Sequence, residues 1–309
     1  MTKTNDWINR NVMKETTTKI LKRLVAEGME MRYGDKPDRK VKLRILWELK
    51  HIIDAGFEGH YIKAFGLFRH YAETEKMGYW GRGAMCSSIV CYCLGLSEVD
   101  PLRFGLHSAR FVNDEPPKFQ FGFEASRYDE FMQKAPNLLA AKAKDYDMEV
   151  VRLSLDVTPM AYLSRKREAP EPEDLDDEIT RDALIRPDTM DLYDAYMRRK
   201  RDGLWKRRGP RLDKILSPTC GFLVYQEQML DILRQFFHVS GIKANQIRLS
   251  IQRGDTEQVE AYKQELFAHL EDLTEKKAEW LWQLLTSNPH AFLKAHAVSR
   301  VLAKCHFEY

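Results

Sequence analysis

Residues 80–124 contain the sequence pattern that is most informative about the fold. Residues 81–95 read GRGAMCSSIVCYCLG, residues 96–117 read LSEVDPLRFGLHSARFVNDEPP, and residues 118–124 read KFQFGFE. The first part predicts a glycine-flanked turn running into an apolar helix, and the second predicts a loop marked by proline. The third alternates as a β-strand does. Its predicted buried face carries Phe119, Phe121 and Phe123.

Composition bounds the class of protein without identifying it. The chain has 309 residues, of which 44% are hydrophobic, enough for a folded core. Lys and Arg number 49 against 46 Asp and Glu, so net charge alone gives no argument for nucleic acid. The sequence shows neither an N-terminal apolar signal region nor a run of about 18 apolar residues. A cytoplasmic protein without membrane contact is therefore expected.

The cysteines point to the same compartment. They are odd in number and show no paired CxxC spacing, so reduced, buried thiols are expected rather than disulfides or a metal site. The five are Cys86, Cys91, Cys93, Cys220 and Cys305.

Periodicity predicts the elements that surround the opening stretch. Helices are expected over 11–33, 39–55 and 60–76. The predicted apolar side of the second helix comprises Leu43, Leu46, Trp47, Leu49 and Ile53. A further strand is expected over 148–157, limited by Pro159.

The second half of the chain predicts a linker followed by helices. Residues 165–182 are polar and strongly acidic, which favours a solvated linker. Residues 183–309 read as mainly helical, and Asp255 followed by Gln258 predicts a helix start there.

Motifs in the first half, taken in order, resemble the alpha subunit of bacterial DNA polymerase III, the family C polymerases. Family members carry a PGRGSxxGS loop, an apolar helix ending in a YxLGIT-like segment, and then DPLRFGLLFERFLNPER. The matching segments here are Gly81-Arg82-Gly83-Ala84, Ser87-Ser88, YCLGLS at 92–97, DPLRFGL at 100–106 and ARFVN at 109–113.

The resemblance continues through the second half. The family segments RPGPM, IRRKHG, PTYGVIVYQEQ, RRAMGKK and FNKSHAVAYAL all have counterparts. These are RPDTM at 186–190, MRRKR at 197–201, PTCGFLVYQEQ at 218–228, RLSIQRG at 248–254 and FLKAHAVSRVL at 292–302. The chain is thus identified as a truncated, divergent member of this family.

That resemblance implies an α+β fold. It implies a palm resembling the polymerase-beta nucleotidyltransferase fold, followed by a mainly helical fingers domain, with the thumb reduced or absent. The implied organisation is an N-terminal helical segment at 1–55, a palm-like domain at 56–164, an acidic linker at 165–182 and a fingers-like domain at 183–309. The family's N-terminal PHP domain and its C-terminal clamp-binding parts are not expected in this chain.

The chemistry of the family requires carboxylates that this sequence lacks. Nucleotide addition uses two Mg²⁺ ions held by acidic side chains, and alternate positions on a strand point the same way. The family's palm strand PDIDIDFE corresponds to 117–124, where the Asp positions hold Lys118, Gln120 and Gly122. A third family carboxylate, on a strand resembling KFDFLGL, corresponds to Ser154 in one alignment and to Asp156 in the other.

A pseudo-enzyme is therefore expected, with no catalytic residue, no metal site and no cofactor. Its expected role is in DNA replication, by binding DNA or a replisome component. One alternative is a minimal active DNA polymerase or nucleotidyltransferase that uses Mg²⁺ and the displaced carboxylates Asp156, Glu124 or Asp129. Another is a structural subunit that binds proteins, and the partner and oligomeric state are left open.

The resemblance also implies vestigial nucleotide-binding positions. The alternative is that these residues now preserve only packing and hydrogen bonds. They are Gly81, Arg82, Gly83, Ser88, Arg186, Tyr225, Gln226, Gln228, Arg248, Arg253, Lys294 and His296.

A basic run after the linker predicts contact with DNA. Its cations suit phosphate groups, and its tryptophan suits stacking on a base. The alternative is a solvated loop whose charge is offset by the acidic residues at 171–178. The run comprises Arg198, Arg199, Lys200, Arg201, Trp205, Lys206, Arg207 and Arg208.

Overall fold

The computed structural model describes residues 16–73, 78–123, 128–133, 154–159, 171–186 and 189–307. The chain divides into two compact units. Unit 1 comprises Met1–Arg165 with Leu302–Tyr309, and unit 2 comprises Lys166–Val301.

Among the described residues, the first elements of unit 1 are three helices at the predicted places. They are α1 (Thr17–Tyr33), α2 (Arg39–Asp54) and α3 (Glu58–Glu73). The predicted parts 11–15 and 74–76 lie outside the described residues. Thr16 caps α1 by accepting a hydrogen bond from the backbone N–H of Lys19, and Asp38 caps α2 in the same manner.

The buried side of α2 differs from the predicted one. Leu43 and Leu46 are 54% and 62% exposed, whereas the buried side includes Val41, Ile45 and Glu48. Of the predicted apolar side, Leu49 is buried as expected, whereas Leu43 and Leu46 are wrong. The buried stripe contains a glutamate, which an apolar periodicity does not detect.

A small mixed sheet lies at the centre of unit 1. Its order is β1 (Tyr79–Arg82), β2 (Lys118–Phe123) and β3 (Ser154–Pro159). The first pair is antiparallel and the second is parallel. The sequence reasoning assigned the β1 residues to a turn, whereas Gly81 lies within the strand. A Cβ at Gly81 would lie 2.1 Å from the backbone oxygen of Leu96, so only glycine fits at this position of the strand.

The predicted buried face of β2 is confirmed. Its three phenylalanines are fully buried. Phe121 stacks on Phe68 of α3 at 3.6 Å between ring centroids, and Phe123 stacks on Phe131 at 3.9 Å. This aromatic packing holds α3 against the sheet.

The apolar helix expected after the glycine loop is short. Gly83–Ser87 form a 3₁₀ turn, and α4 covers only Ile89–Cys93. The cysteines along this stretch are buried free thiols, and all five cysteines of the chain are free.

The described part of unit 2 consists of helices, the last of which continues into the residues of unit 1 that begin at Leu302. They are α5 (Leu175–Leu184), α6 (Met190–Asp202), α7 (Pro210–Leu216), α8 (Gln226–Phe236), α9 (Gly241–Arg253), α10 (Thr256–Phe267), α11 (Glu275–Thr286) and α12, which begins at Lys294 and ends at Phe307. Leu230 and Leu233 of α8, Ile247 of α9 and Leu281 of α11 belong to one buried cluster. The predicted N-cap at Asp255 is confirmed, since its side chain accepts from the Gln258 N–H at 3.1 Å.

The described part of the acidic segment, 171–182, differs from the solvated linker expected, and 165–170 lie outside the described residues. Helix α5 begins within it, and Asp174 caps that helix by accepting from the Asp177 N–H. Asp177 is fully buried. A run of acidic residues predicts a solvated segment, because the sequence does not show that a basic side chain elsewhere pairs with one of the acids and allows it to be buried.

The helical units and the small sheet give the α+β class that was predicted, and the palm and thumb assignments stay predictions. Within the described part of the chain, no helix combines the length and apolarity needed to cross a bilayer.

Candidate nucleotide and nucleic-acid sites

The second face of β2 carries the residues that replace the family's aspartates. Lys118 is exposed, Gln120 is half-buried and Gly122 is buried. The parallel register pairs the Cα of Lys118 with Ser154 and that of Gln120 with Asp156. Both candidate positions for the third carboxylate therefore lie on the strand beside this face, with Asp156 next to Gln120.

Gln120 also lies against the glycine loop. Gly83 has a φ of 71°, a conformation that favours glycine, and a Cβ there would lie 1.7 Å from Gln120 Oε1. The amide of Gln120 therefore occupies the space beside the Cα of Gly83. In the antiparallel register Gln120 also pairs with Arg82, so two predicted positions, Arg82 and Gly83, meet here around a neutral amide.

Ser88 bonds to a buried carboxylate of the chain itself. Its Oγ donates to Glu48 at 2.7 Å, and the backbone N–H groups of Ile89 and Val90 donate to the same carboxylate at 3.2 and 3.1 Å. Glu48 is 0% exposed and forms an ion pair with Arg44 at 2.8 Å. The donors at the start of α4 are thus satisfied internally.

The remaining carboxylates give no described metal cluster. Asp129 is exposed, and Glu124 lies outside the described residues. For Asp156 only the backbone position is described. Across the described ranges, no three side chains from His, Cys, Asp and Glu come together as metal ligands do.

The YQEQ segment of unit 2 forms a hydrogen-bond framework. Tyr225 shares a hydrogen bond with Thr180 at 3.0 Å, and Gln226 Nε2 donates to the carbonyl of Ala291 at 2.9 Å. Gln228 Oε1 accepts from the backbone N–H of Tyr225 at 2.9 Å. These side chains link α8 to α5 and to the segment that precedes α12.

Glu227, between the two predicted glutamines, was missed by the sequence reasoning. It is buried and accepts from the backbone N–H groups of Lys294 and Ala295 at 2.9 and 3.2 Å. It thereby caps the start of α12 in the way Glu48 caps α4. The only sequence signal was its place inside a recognised motif.

Three of the predicted basic positions gather around two aromatic rings. The Arg186 guanidinium lies 5.2 Å from the centre of the Phe292 ring, and the His296 ring meets Phe292 edge-on at 5.8 Å. Lys294 Nζ lies 5.7 Å from the centre of the Tyr225 ring. The structure therefore brings Arg186, Lys294 and His296 together at the beginning of α12.

The two predicted arginines of α9 lie in different environments. Arg248 is 1% exposed, and its guanidinium donates to Asn245 at 3.1 Å and to Gln252 at 2.6 Å. Arg253 is exposed at the end of the helix. Arg248 is therefore a packed, internally bonded residue in this structure, and its assignment to a nucleotide stays a prediction.

The basic run separates into internal and exposed members. Arg199 donates to the Cys220 carbonyl at 3.0 Å and stacks on Phe222 at 3.7 Å. Lys200 bonds to Asp174 at 2.7 Å and to Asp177 at 2.6 Å. The exposed members are Arg198, Arg201, Lys206, Arg207 and Arg208.

The pairing of Lys200 has an electrostatic consequence. Burial lowers the pKa of its ammonium, but the hydrogen bonds and charges of Asp174 and Asp177 outweigh that effect and raise the pKa overall. The alternative that acidic residues at 171–178 offset the basic run therefore holds for Lys200.

Trp205 is half-buried among its own neighbours. The Arg207 guanidinium lies 3.8 Å from the centre of its ring, and a Cβ on Gly221 would lie 2.5 Å from its Cε3 atom. The indole therefore packs against the loop at 221 and supports a cation.

Comparison with known proteins places these features in a family. Residues 19–143 match the bacterial DNA polymerase III alpha NTPase domain, and residues 166–273 match the bacterial DNA polymerase III alpha subunit finger domain. Together the two matched ranges take in most of the chain.

Individual relatives match a shorter part. An error-prone DNA polymerase of Sinorhizobium medicae is 38% identical over 128 residues, which are 40% of this chain and 11% of that protein. Error-prone DNA polymerases of Anaeromyxobacter sp. and Bdellovibrio bacteriovorus are 33% and 35% identical over 117 and 122 residues. Those matches cover 37% and 38% of this chain and 10% and 11% of the relatives, so the matched part is about a tenth of their length. With its NTPase-domain and finger-domain matches in the expected order, this chain belongs to the family of bacterial DNA polymerase III alpha subunits.

Proposed function

We propose that this protein acts in DNA replication or repair by binding DNA without itself adding nucleotides. A replication role places it in the cytoplasm with the bacterial DNA. The palm-like and fingers-like readings of the two units are part of the same proposal.

The environment of Gln120 is the observation that best supports the proposed absence of catalysis. A neutral amide takes the place of an acidic side chain and packs against the glycine loop. Lys118, a cation, stands on the same strand face, and a cation repels a divalent metal ion. Two Mg²⁺ ions need several carboxylate oxygens, and this face of β2 supplies none.

Internal carboxylates support the same proposal. Glu48 accepts the hydrogen bonds of Ser88 and of the first N–H groups of α4. Glu227 does the same at the start of α12. A phosphate group would need those donors, and displacing a buried, paired carboxylate is costly. The predicted nucleotide-binding residues Ser88, Gln226 and Gln228 are thus better explained as packing and capping groups.

DNA binding is supported by the exposed part of the basic run. The side chains of Arg198 and Arg201 project from the last turns of α6 into solvent. Guanidinium groups pair well with phosphate oxygens, and such contacts need no specific base sequence.

A binding assay tests this part of the proposal. Fluorescence anisotropy with a labelled duplex at about 50 mM salt should show binding that weakens steeply as salt rises. The double variant Arg198→Ala/Arg201→Ala should reduce the slope of log K against log salt by about 1.8, since each phosphate contact contributes about 0.9. Arg199 and Lys200 are left intact because they hold the fold. Lys22→Ala in α1, an exposed lysine of unit 1, is the control. Absence of binding at 50 mM salt would contradict the proposal and favour a protein-binding subunit.

One observation favours a second candidate, a minimal active nucleotidyltransferase. Asp156 lies beside Gln120 in the sheet register, at the strand that carries the family's third carboxylate. Primer extension with Mg²⁺ or Mn²⁺ that disappears in Asp156→Ala would establish this candidate.

A further inference from the structure

Two exposed arginines of unit 2 rest on indole rings. The guanidinium of Arg207 lies 3.8 Å from the ring centre of Trp205, and that of Arg208 lies 4.7 Å from the ring centre of Trp280. Stacking holds a guanidinium by its face and leaves its N–H groups pointing outward in the plane, where they suit phosphate oxygens. Both cations are therefore held in position before any ligand arrives.

The indoles that carry these cations are engaged in that support. Both Trp205 and Trp280 are half-buried. Trp205 bears Arg207 and packs against the backbone at Gly221. A nucleic-acid base that stacked on Trp205 would have to displace Arg207, and with it a charge that attracts the phosphates. The Trp205 ring therefore positions the Arg207 guanidinium and is not available to stack on a base.

The contact between Arg208 and Trp280 joins this region to α11. That helix also exposes Lys277, whose Nζ lies 5.5 Å from the centre of the Phe236 ring. Arg211 lies over the same ring at 5.2 Å, but its charge is paired with Asp272 at 2.6 Å. Lys277 therefore extends the cationic surface, whereas Arg211 adds little to it.

We propose that Lys206, Arg207, Arg208 and Lys277 form one surface that binds the sugar-phosphate backbone of DNA without stacking on its bases. We name these four residues the backbone surface. The proposal rests on the proposed DNA-binding function and specifies how that function is performed. It adds a residue of α11, about 70 positions away in sequence, to the predicted basic run.

Comparing two labelled single strands of equal charge tests the proposal. One is a 20-residue oligothymidylate, and the other is a 20-residue strand of abasic sugar phosphates. Anisotropy at the same salt concentration should give dissociation constants within about twofold of each other, because the phosphates are the same. Affinity for the abasic strand that is fivefold or more weaker would overturn the proposal, since each stacked base contributes about that much or more.

Variants locate the surface. Arg207→Ala/Arg208→Ala should reduce the salt slope by about 1.4 on both strands, at about 0.7 for each single-strand phosphate contact. Lys277→Ala should reduce the slope by about 0.7, and the unit 1 control Lys22→Ala should leave it unchanged. Arg207→Gln/Arg208→Gln keeps polar side chains of similar length, so an equal loss there excludes misfolding as the cause.

The outcomes separate the two proposals. Failure of both strands and of the labelled duplex to bind would refute the DNA-binding function itself. Failure of both single strands beside a duplex that binds would refute only the backbone surface. Binding of oligothymidylate alone would refute only the backbone surface. An unchanged slope in Lys277→Ala would refute the contribution of α11.

Discussion

Replacing Glu48 by alanine should destabilise unit 1 far more than replacing Asp54, an exposed acidic residue on the same helix. Glu48 is fully buried and accepts three hydrogen bonds from Ser88, Ile89 and Val90. It also neutralises Arg44, whose other guanidinium nitrogen donates to the backbone carbonyls of Ser87 and Leu106. The substitution leaves a largely buried cation and the first turn of α4 without their acceptor.

The magnitude follows from that geometry. Hydrogen bonds to a charged group contribute about 1.5–3 kcal/mol each, but three bonds to one carboxylate are not additive. Breaking a buried ion pair by removing one partner costs about 3–5 kcal/mol, and we take that range. The higher helix propensity of alanine offsets only a few tenths of a kcal/mol of this loss in stability.

Asp54 provides a matched control on the same helix. It pairs with Lys50 at the same i, i+4 spacing by which Glu48 pairs with Arg44, but its side chain is 59% exposed. Asp54→Ala should therefore cost less than about 1 kcal/mol.

Urea unfolding monitored by circular dichroism measures both variants. Hydrogen exchange at the amides of Ile89 and Val90 reports on the cap itself, and it should accelerate in Glu48→Ala only. Equal unfolding free energies for the two variants, with unchanged exchange at those amides, would refute the role assigned to Glu48.

Three further predictions concern other packed positions. Gly81→Ala should lower the free energy of unfolding by about 1–3 kcal/mol in a thermal melt, because its Cβ would lie 2.1 Å from a backbone oxygen; an unchanged melting temperature would contradict the close packing of β1. Iodoacetamide at pH 8 should modify exposed Cys305 in the native protein but not Cys93. Burial raises the pKa of the Cys93 thiol to about 12 and keeps it protonated. Rapid labelling of Cys93, detected by peptide mass spectrometry, would contradict this prediction. Lys200→Ala should cost about 2–3 kcal/mol in urea unfolding, because it removes a charged partner of buried Asp177, and a cost near zero would place Lys200 in solvent instead.

The sequence predicted the parts of the fold that depend on local pattern. Alternating phenylalanines identified β2 and its buried face, and Asp255 identified a helix start. Strand β1 was missed because the glycines in and beside it indicated a turn, whereas Gly81 allows two backbone segments to approach closely.

Buried charge was the main source of error. Glu48 lies on the packed side of α2, so its presence shifted the predicted apolar face onto Leu43 and Leu46. Asp177 lies in an acidic run that reads as solvated, yet it is buried because Lys200, 23 residues later, pairs with it. The acidic residue and its cation lie on different helices, so no local period connects them.

The sequence predicted which residues belong to the candidate sites but not which of them are bonded within the fold and which are exposed. The basic run was identified, whereas the division between internal Arg199 and Lys200 and exposed Arg207 and Arg208 depends on tertiary contacts. Trp280 had no signal in the sequence, because only folding brings it beside Arg208.

Nucleotide incorporation on a primed template tests whether this protein binds DNA without catalysing its extension. The protein should be assayed under low-salt conditions in which DNA binding has been verified, with Mg²⁺ and separately with Mn²⁺, beside a polymerase that extends the same template. We expect DNA binding with no extension, because β2 presents Lys118, Gln120 and Gly122 where two metal ions would need carboxylates. Extension of the primer by this protein, abolished in Asp156→Ala, would contradict it.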